Sequence, residues 1–238
     1  MAFDKNSNGF TFGFAIAMVV VVGSVLALAS MGLKPFQKAN IEKEKKQNIL
    51  AAIQVTCDRD EAPELFDQYV KQLLVLNKDG EVLEGDAFGV DVKKQYREVR
   101  ASARTPEDVM YPLYICEREG ETYYVIPMAG SGLWGPVWGF VALEGDLNTI
   151  FGATFDHKTE TPGLGAEINT GIFQNQFQGD KVYEMGAVKL SVRKGGGGNA
   201  DEYGVDGITG GTITSKGVEE MLQRTLAVYQ NYFASLNS

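Results

Sequence analysis

Asp206-Gly207-Ile208-Thr209-Gly210-Gly211-Thr212-Ile213-Thr214-Ser215 puts an acid, paired glycines and four hydroxyls into one short segment. Directly after it, Val218, Met221, Leu222, Thr225, Leu226 and Tyr229 recur at three- and four-residue steps, the spacing of one helical face. Thr214 or Ser215 is the expected N-cap, since its hydroxyl can accept from the first free backbone N–H groups. A helix start also suits a phosphate, because free N–H groups point outward and the dipole favours negative charge. Gly210 and Gly211 lack a Cβ, so a ligand can come close to the backbone. Spacing alone leaves two readings open: an anion site, or a glycine turn that merely caps a C-terminal helix.

The chain of 238 residues has room for one anchor and one ordinary domain. Its hydrophobic share of 44% can build a core, and its formal net charge of −9 argues against nucleic acid as a partner. Two cysteines, Cys57 and Cys116, cannot ligate an iron–sulfur cluster unaided, and one histidine, His157, supplies a zinc site poorly. The cysteines read as buried thiols or, outside the cytoplasm, as a disulfide. His157 reads as a surface or loop residue.

No charged side chain occurs between Lys5 and Lys34, and residues 10–33 read FTFGFAIAMVVVVGSVLALASMGL. That exceeds the about 20 apolar residues that cross a bilayer. It also exceeds the about 7–15 of a secretory h-region, so an uncleaved anchor is expected although Ala27-Leu28-Ala29 resembles a cleavage site. Residues 1–9 form a short tail, 34–60 a helical stalk and 61–238 the soluble domain. Lys34, Lys38, Lys43, Lys45 and Lys46 follow the anchor, and by charge alone they favour a cytoplasmic C-terminal side.

Within the stalk, 38–54 reads as a solvated helix with a thin apolar stripe. A second helix is expected over 63–76, where Leu65, Phe66, Tyr69, Val70, Leu73 and Leu74 fit the helical period and Pro63 suits a first turn. Segments 112–117 and 122–128 read as a hairpin, with strands at 137–143, 149–155, 182–183 and 188–192. A short helix is expected near 166–177, and the glycine run at 195–198 reads as a surface loop. The fold class is α+β, a mostly antiparallel sheet with flanking helices.

Two further loops carry unusual chemistry. Gly130-Ser131-Gly132-Leu133-Trp134-Gly135 matches G-x-G-x-x-G, but 136–141 reads as a strand where a dinucleotide fold needs a helix. It reads better as a glycine-flexed turn presenting Leu133 and Trp134, with Trp138 filling the core. Glu160-Thr161-Pro162-Gly163-Leu164-Gly165 combines Pro, two Gly and a hydroxyl in a second turn.

Asp206-x-x-Thr209-Gly210-Gly211-Thr212 resembles the flavinylation motif of the FMN-binding domain family, Asp-x-x-(Ser/Thr)-Gly-Ala-Thr, with Gly211 where that family usually has Ala. The Gly-Leu-Trp and Glu-Thr-Pro-Gly-Leu-Gly loops precede it in the family's order. The resemblance runs from the anchor to the C-terminus and is closest to the NqrC family, flavoproteins of the Na+-translocating NADH:quinone oxidoreductases. It implies FMN joined to Thr212 by a phosphoester, with Asp206, Thr209, Gly210, Gly211 and Thr214 around the attachment. Gly132, Leu133, Trp134, Glu160, Thr161, Gly163 and Leu164 would border the flavin. It further implies a separate flavin transferase, a bacterial inner-membrane location with the soluble domain on the periplasmic side, and electron relay between iron–sulfur and flavin subunits of the complex. The related flavoprotein of Rnf-type electron-transport complexes, with the same chemistry, and an anchored non-redox binding module are the alternatives.

Overall fold

The structure, a computed structural model, describes residues 7–236. Most of the expected N-terminal tail therefore lies outside the described residues. The chain separates into two units, the first ending at Lys45 and the second beginning at Lys46. Helix α1 spans Asn8–Ala52, and its apolar part reaches a mean hydropathy of 2.6 with none of that window buried. By length and composition this helix can cross a membrane.

In the second unit, α2 (Ala62–Tyr69) leads into strand β1 (Val70–Leu76). The helix expected over 63–76 thus stops halfway. At Val70 the backbone turns extended (φ −84°, ψ 112°), and Val70 and Gln72 to Leu76 pair with β3 (Tyr111–Arg118). A short run with adjacent leucines fits both periods, and pairing along a sheet decides between them. After β2 (Val82–Leu83), α3 (Val92–Arg100) is capped by Asp91, whose carboxylate accepts from Lys94 N at 2.9 Å. Strands β4 (Glu121–Ser131), β5 (Pro136–Leu143) and β6 (Ile150–His157) complete an antiparallel sheet ordered β2-β1-β3-β4-β5-β6. The expected hairpin and the two strands after it are where the alternation placed them.

Beyond the sheet, the expected helix over 166–177 is instead three short turns. α4 (Gly171–Gln174) lies between two 3-10 turns, where the glycines at 165 and 171 weaken a continuous helix. The ribbons β7 (Tyr183–Glu184) with β8 (Ala187–Val188), and β9 (Ser191–Arg193) with β10 (Gly204–Asp206), precede α5 (Thr212–Leu236).

Both sheet faces are covered, and alternate residues serve each face. Ile126 and Met128 join Met221, Leu222, Leu226 and Tyr229 of α5 in one core. Tyr114, Val125 and Phe140 join Ile49, Leu50, Ala52, Ile53 and Phe66 in the other. The last part of the expected solvated stalk is therefore core. Arg118 Nη1 donates to Ile53 O at 2.8 Å, and Gln54 Nε2 to Phe151 O at 2.8 Å, which pins the end of α1. Both cysteines are free thiols, and burial pushes that of Cys116 up to about 12.

The placement of α5 rests on missing side chains. A Cβ at Gly130 would lie 2.9 Å from Met221 Cβ, and one at Gly217 would run into the carbonyl of Ser131. The first turns of α5 therefore lie directly on the end of β4. Farther along, Tyr229 OH donates to Pro112 O at 2.6 Å. Gly217→Ala is expected to lower the melting temperature of the full chain in detergent. Ala gains about 1 kcal/mol over Gly in a helix interior, but forcing a methyl against backbone costs about 1–3 kcal/mol. An unchanged or higher melting temperature would show that α5 does not depend on this contact.

Candidate functional site

The first loop is the tight end of the β4–β5 hairpin. Gly132 N donates to Gly135 O at 2.8 Å, and a strand follows, so the G-x-G-x-x-G spacing is a hairpin turn and not a dinucleotide fingerprint. Leu133 and Trp134 project from it, 49% and 67% exposed. Large apolar side chains in water at a turn tip have no packing role there. Trp138, expected in the core, is only half-buried, with Lys93 Nζ 4.0 Å above its ring. Its position in β5 puts it on the same sheet face as Phe140, yet it is not among the residues of either core.

The second loop follows β6. Glu160 is 5% exposed, yet its carboxylate has two donors: Trp134 N reaches Oε1 at 2.8 Å and Thr214 Oγ1 reaches Oε2 at 2.5 Å. Its own N–H donates to His157 Nδ1 at 3.2 Å, which places the lone histidine, half-buried, as a loop anchor at the end of β6. Thr161 O accepts from the N–H groups of Leu164 and Ala166, both at 3.1 Å, closing the turn. Gly163 takes φ +76°, a conformation that L side chains rarely adopt, and its N–H donates to Glu167 Oε1 at 2.8 Å. Thr161, Gly163 and Leu164 are exposed.

The third loop is the decisive segment. Helix α5 begins at Thr212, with Ser215 N donating to Gly211 O at 2.9 Å. Thr214 and Ser215 lie inside the helix, so neither is its N-cap. Their hydroxyls are used otherwise: Thr214 donates to Glu160, and Ser215 Oγ accepts from Ile208 N at 2.9 Å, folding the loop back on the helix. A helix that starts at Thr212 leaves the N–H groups of its first residues without intrahelical acceptors. Thr212 is half-buried, beside exposed Thr209 and Gly210. Asp206 lies farther off, in β10. Its Oδ1 accepts from Gly198 N at 2.5 Å and its N–H donates to Gln176 Oε1 at 2.9 Å, so it ties the glycine loop to the ribbon.

The three loops therefore meet. A Cβ at Gly165 would come within 2.5 Å of both Glu160 Oε2 and Thr214 Oγ1. One at Gly211 would lie 3.0 Å from Ile208 Cγ2 and 3.2 Å from Gly165 N, so Gly in place of the usual Ala goes with a close approach of the second and third loops. A small cavity of about 130 Å³ opens beside Thr212, walled by Thr209, Gly210, Ile208, Lys194 and Lys216. A phosphate-sized anion fits that donor set, with free N–H groups, hydroxyls and two lysines, of which Lys216 is ion-paired with Glu219. From the sequence Ser215 reads only as an N-cap, and Gly165, Lys194 and Lys216 are not singled out. The second glycine of Pro-Gly-Leu-Gly hints at Gly165, but nothing local marks the two lysines. Among the described residues no cluster of His, Cys, Asp and Glu could hold a metal ion.

Residues 132–227, which hold all three loops, match the FMN-binding domain family. The NqrC protein of the Na(+)-translocating NADH-quinone reductase of Vibrio alginolyticus is 34% identical over 92% of this chain and 90% of its own length. The crystal structure of its counterpart from Parabacteroides distasonis is 41% identical, with a TM-score of 0.73 over 84% of this chain and 96% of its own. Shewanella oneidensis NqrC is 26% identical, with a TM-score of 0.69 over 82% of this chain and 97% of its own. The likeness in sequence covers 92% of this chain and the likeness in fold 84%, and the chain belongs to the NqrC family of Na(+)-translocating NADH-quinone reductase subunits.

Proposed function

We propose that Thr212 carries FMN through a phosphoester and that the chain relays electrons within a Na+-translocating NADH:quinone reductase complex. The observation that carries this reading is the convergence of the three loops on Glu160, which sets the Thr212 hydroxyl at a helix start beside a cationic cavity and near exposed Leu133, Trp134 and Leu164. FMN, when bound, supplies the electron exchange, and the protein supplies placement and electronic tuning. Thr212 contributes the ester oxygen. Thr209, Gly210 and the free N–H groups at the start of α5 hold phosphate oxygens, with Lys194 and Lys216 balancing their charge. Leu133, Trp134 and Leu164 offer apolar surface to a flat ring, while Thr161 and Gly163 shape the turn beside it. Asp206, Gly211, Gly132, Glu160 and Thr214 position these groups.

Covalent attachment keeps the flavin in place through every redox state, which suits a relay. Its neighbours in this reading are iron–sulfur and flavin subunits of the complex. A separate flavin transferase forms the ester, since nothing in these loops activates a phosphate. α1 anchors the domain in the lipid of the bacterial inner membrane, on the periplasmic side, where the transferase acts. The span has no ionisable residue between Lys5 and Lys34, which argues against a sodium path within it. Similarity to NqrC over nearly the whole chain favours this reading over an Rnf-type partner set.

Thr212→Ala is expected to remove all covalent flavin while the domain stays folded, because the side chain is half-buried at a helix start and no core residue moves. The measurement is the mass of the proteolytic fragment holding Thr212, made with the transferase present. A gain equal to FMN less water in wild type, absent from the variant, is the expected pair. A wild-type fragment of unmodified mass, or flavin persisting in the variant, overturns the assignment. Glu160→Gln keeps the shape but turns an amide N–H toward one of two donors. A loss of about 1–3 kcal/mol is expected, read as a lower melting temperature together with a smaller flavinylated fraction. Equal melting and equal loading would remove Glu160 from its organising role.

A further inference from the structure

Helix α3 carries positive charge that its surroundings do not neutralise. Lys93, Lys94, Arg97 and Arg100 lie on nine residues of a chain whose net charge is −9. The one acid of that helix, Glu98, is already engaged, by Arg104 Nε at 2.9 Å and Lys94 Nζ at 3.7 Å. The hydrogen bond from Arg104 above all holds its carboxyl below the usual carboxylate range. Lys93 is committed to the Trp138 ring. Arg97 and Arg100 are exposed, and among the described residues neither has a carboxylate partner.

Both arginines line a cavity of about 580 Å³ that is also lined by Leu133 and Trp134 of the first loop. The wall between them is held in place. Arg100 Nη1 donates to Ser131 Oγ at 2.5 Å, and Arg224 of α5 lies 4.7 Å from the Tyr96 ring while its Nη2 donates to Ala129 O at 2.6 Å. Exposed Trp and Leu framed by unpaired arginines have the composition of the energetic centre of a protein interface. An unpaired guanidinium is also a ready bidentate partner for a surface carboxylate.

We propose that this cleft is a docking surface for an acidic protein surface on the neighbouring subunit that exchanges electrons with this chain, seated between the Arg97–Arg100 shelf and Trp134. The proposal rests on the flavin reading above, because Trp134 belongs to both surfaces. Its cations lie at an exposed rim and not inside an enclosed pocket, the arrangement that meets carboxylates on another protein. Positive charge there, on an acidic chain, also selects the orientation in which the two proteins meet.

The test uses the full chain in the assembled complex, made with the flavin transferase. Arg97→Glu with Arg100→Glu is compared with Lys71→Glu with Lys78→Glu, the same change in charge at lysines that do not line the cleft. The first pair is expected to retain covalent flavin on a denaturing gel and to slow NADH:quinone turnover by about tenfold or more. The control pair should match wild type, and Arg97→Lys with Arg100→Lys should keep most of the turnover. Unchanged turnover in the reversed pair overturns the proposal. So does loss of covalent flavin from it, which would assign the arginines to the flavin's own pocket. A wild-type chain without flavin removes the earlier reading and this one with it, whereas a flavinylated wild type with indifferent variants removes this one alone.

Discussion

The carboxylate of Glu160 is out of water, and a carboxylate in that position is costly unless donors replace its hydration. Two do, the Trp134 N–H at 2.8 Å and the Thr214 hydroxyl at 2.5 Å. One donor comes from a hairpin tip, the other from the first turn of the C-terminal helix, and the acid itself comes from the loop after β6. Charge-assisted bonds of this kind are short and directional, so three segments far apart in the chain are held to one geometry. Removing either donor leaves a buried charge short of a partner.

That bond can form only because backbone surfaces come close enough. Gly217 lets α5 lie on the end of β4, and Gly132 and Gly165 leave room for the two carboxylate oxygens of Glu160. The buried stripe of α5 against Ile126, Met128, Val137 and Val141 then supplies the apolar area that holds the helix there. The site is thus set by the sheet behind it. Hydroxyls at Thr214 and Ser215 face inward to tie loops, while Thr209, Gly210 and Thr212 border the small cavity.

Charge is placed as locally as the glycines are. The chain is acidic as a whole, yet lysines stand at the cavity beside Thr212 and arginines at the cleft beside Trp134. Local positive charge in a negative field acts over short range, within a Debye length of about 8–10 Å. It can favour a bound phosphate or a docked carboxylate without making the molecule a general binder of polyanions.

The amino-acid sequence by itself determined the apolar span, the four long strands from 111 to 157, the C-terminal helix and the three glycine-bearing loops. These depend on local period and turn chemistry, which neighbouring residues settle among themselves. Tertiary structure decided that the helix started at Ala62 yields to a strand at Val70, because the ladder with β3 competes for the same backbone groups. It likewise decided that Ile49, Leu50 and Ile53 are core, that Trp138 is not, and that Thr214 ties to Glu160 and does not cap α5. Each of those outcomes needs a partner far along the chain, and no pattern of neighbouring residues carries the distance at which two such partners meet.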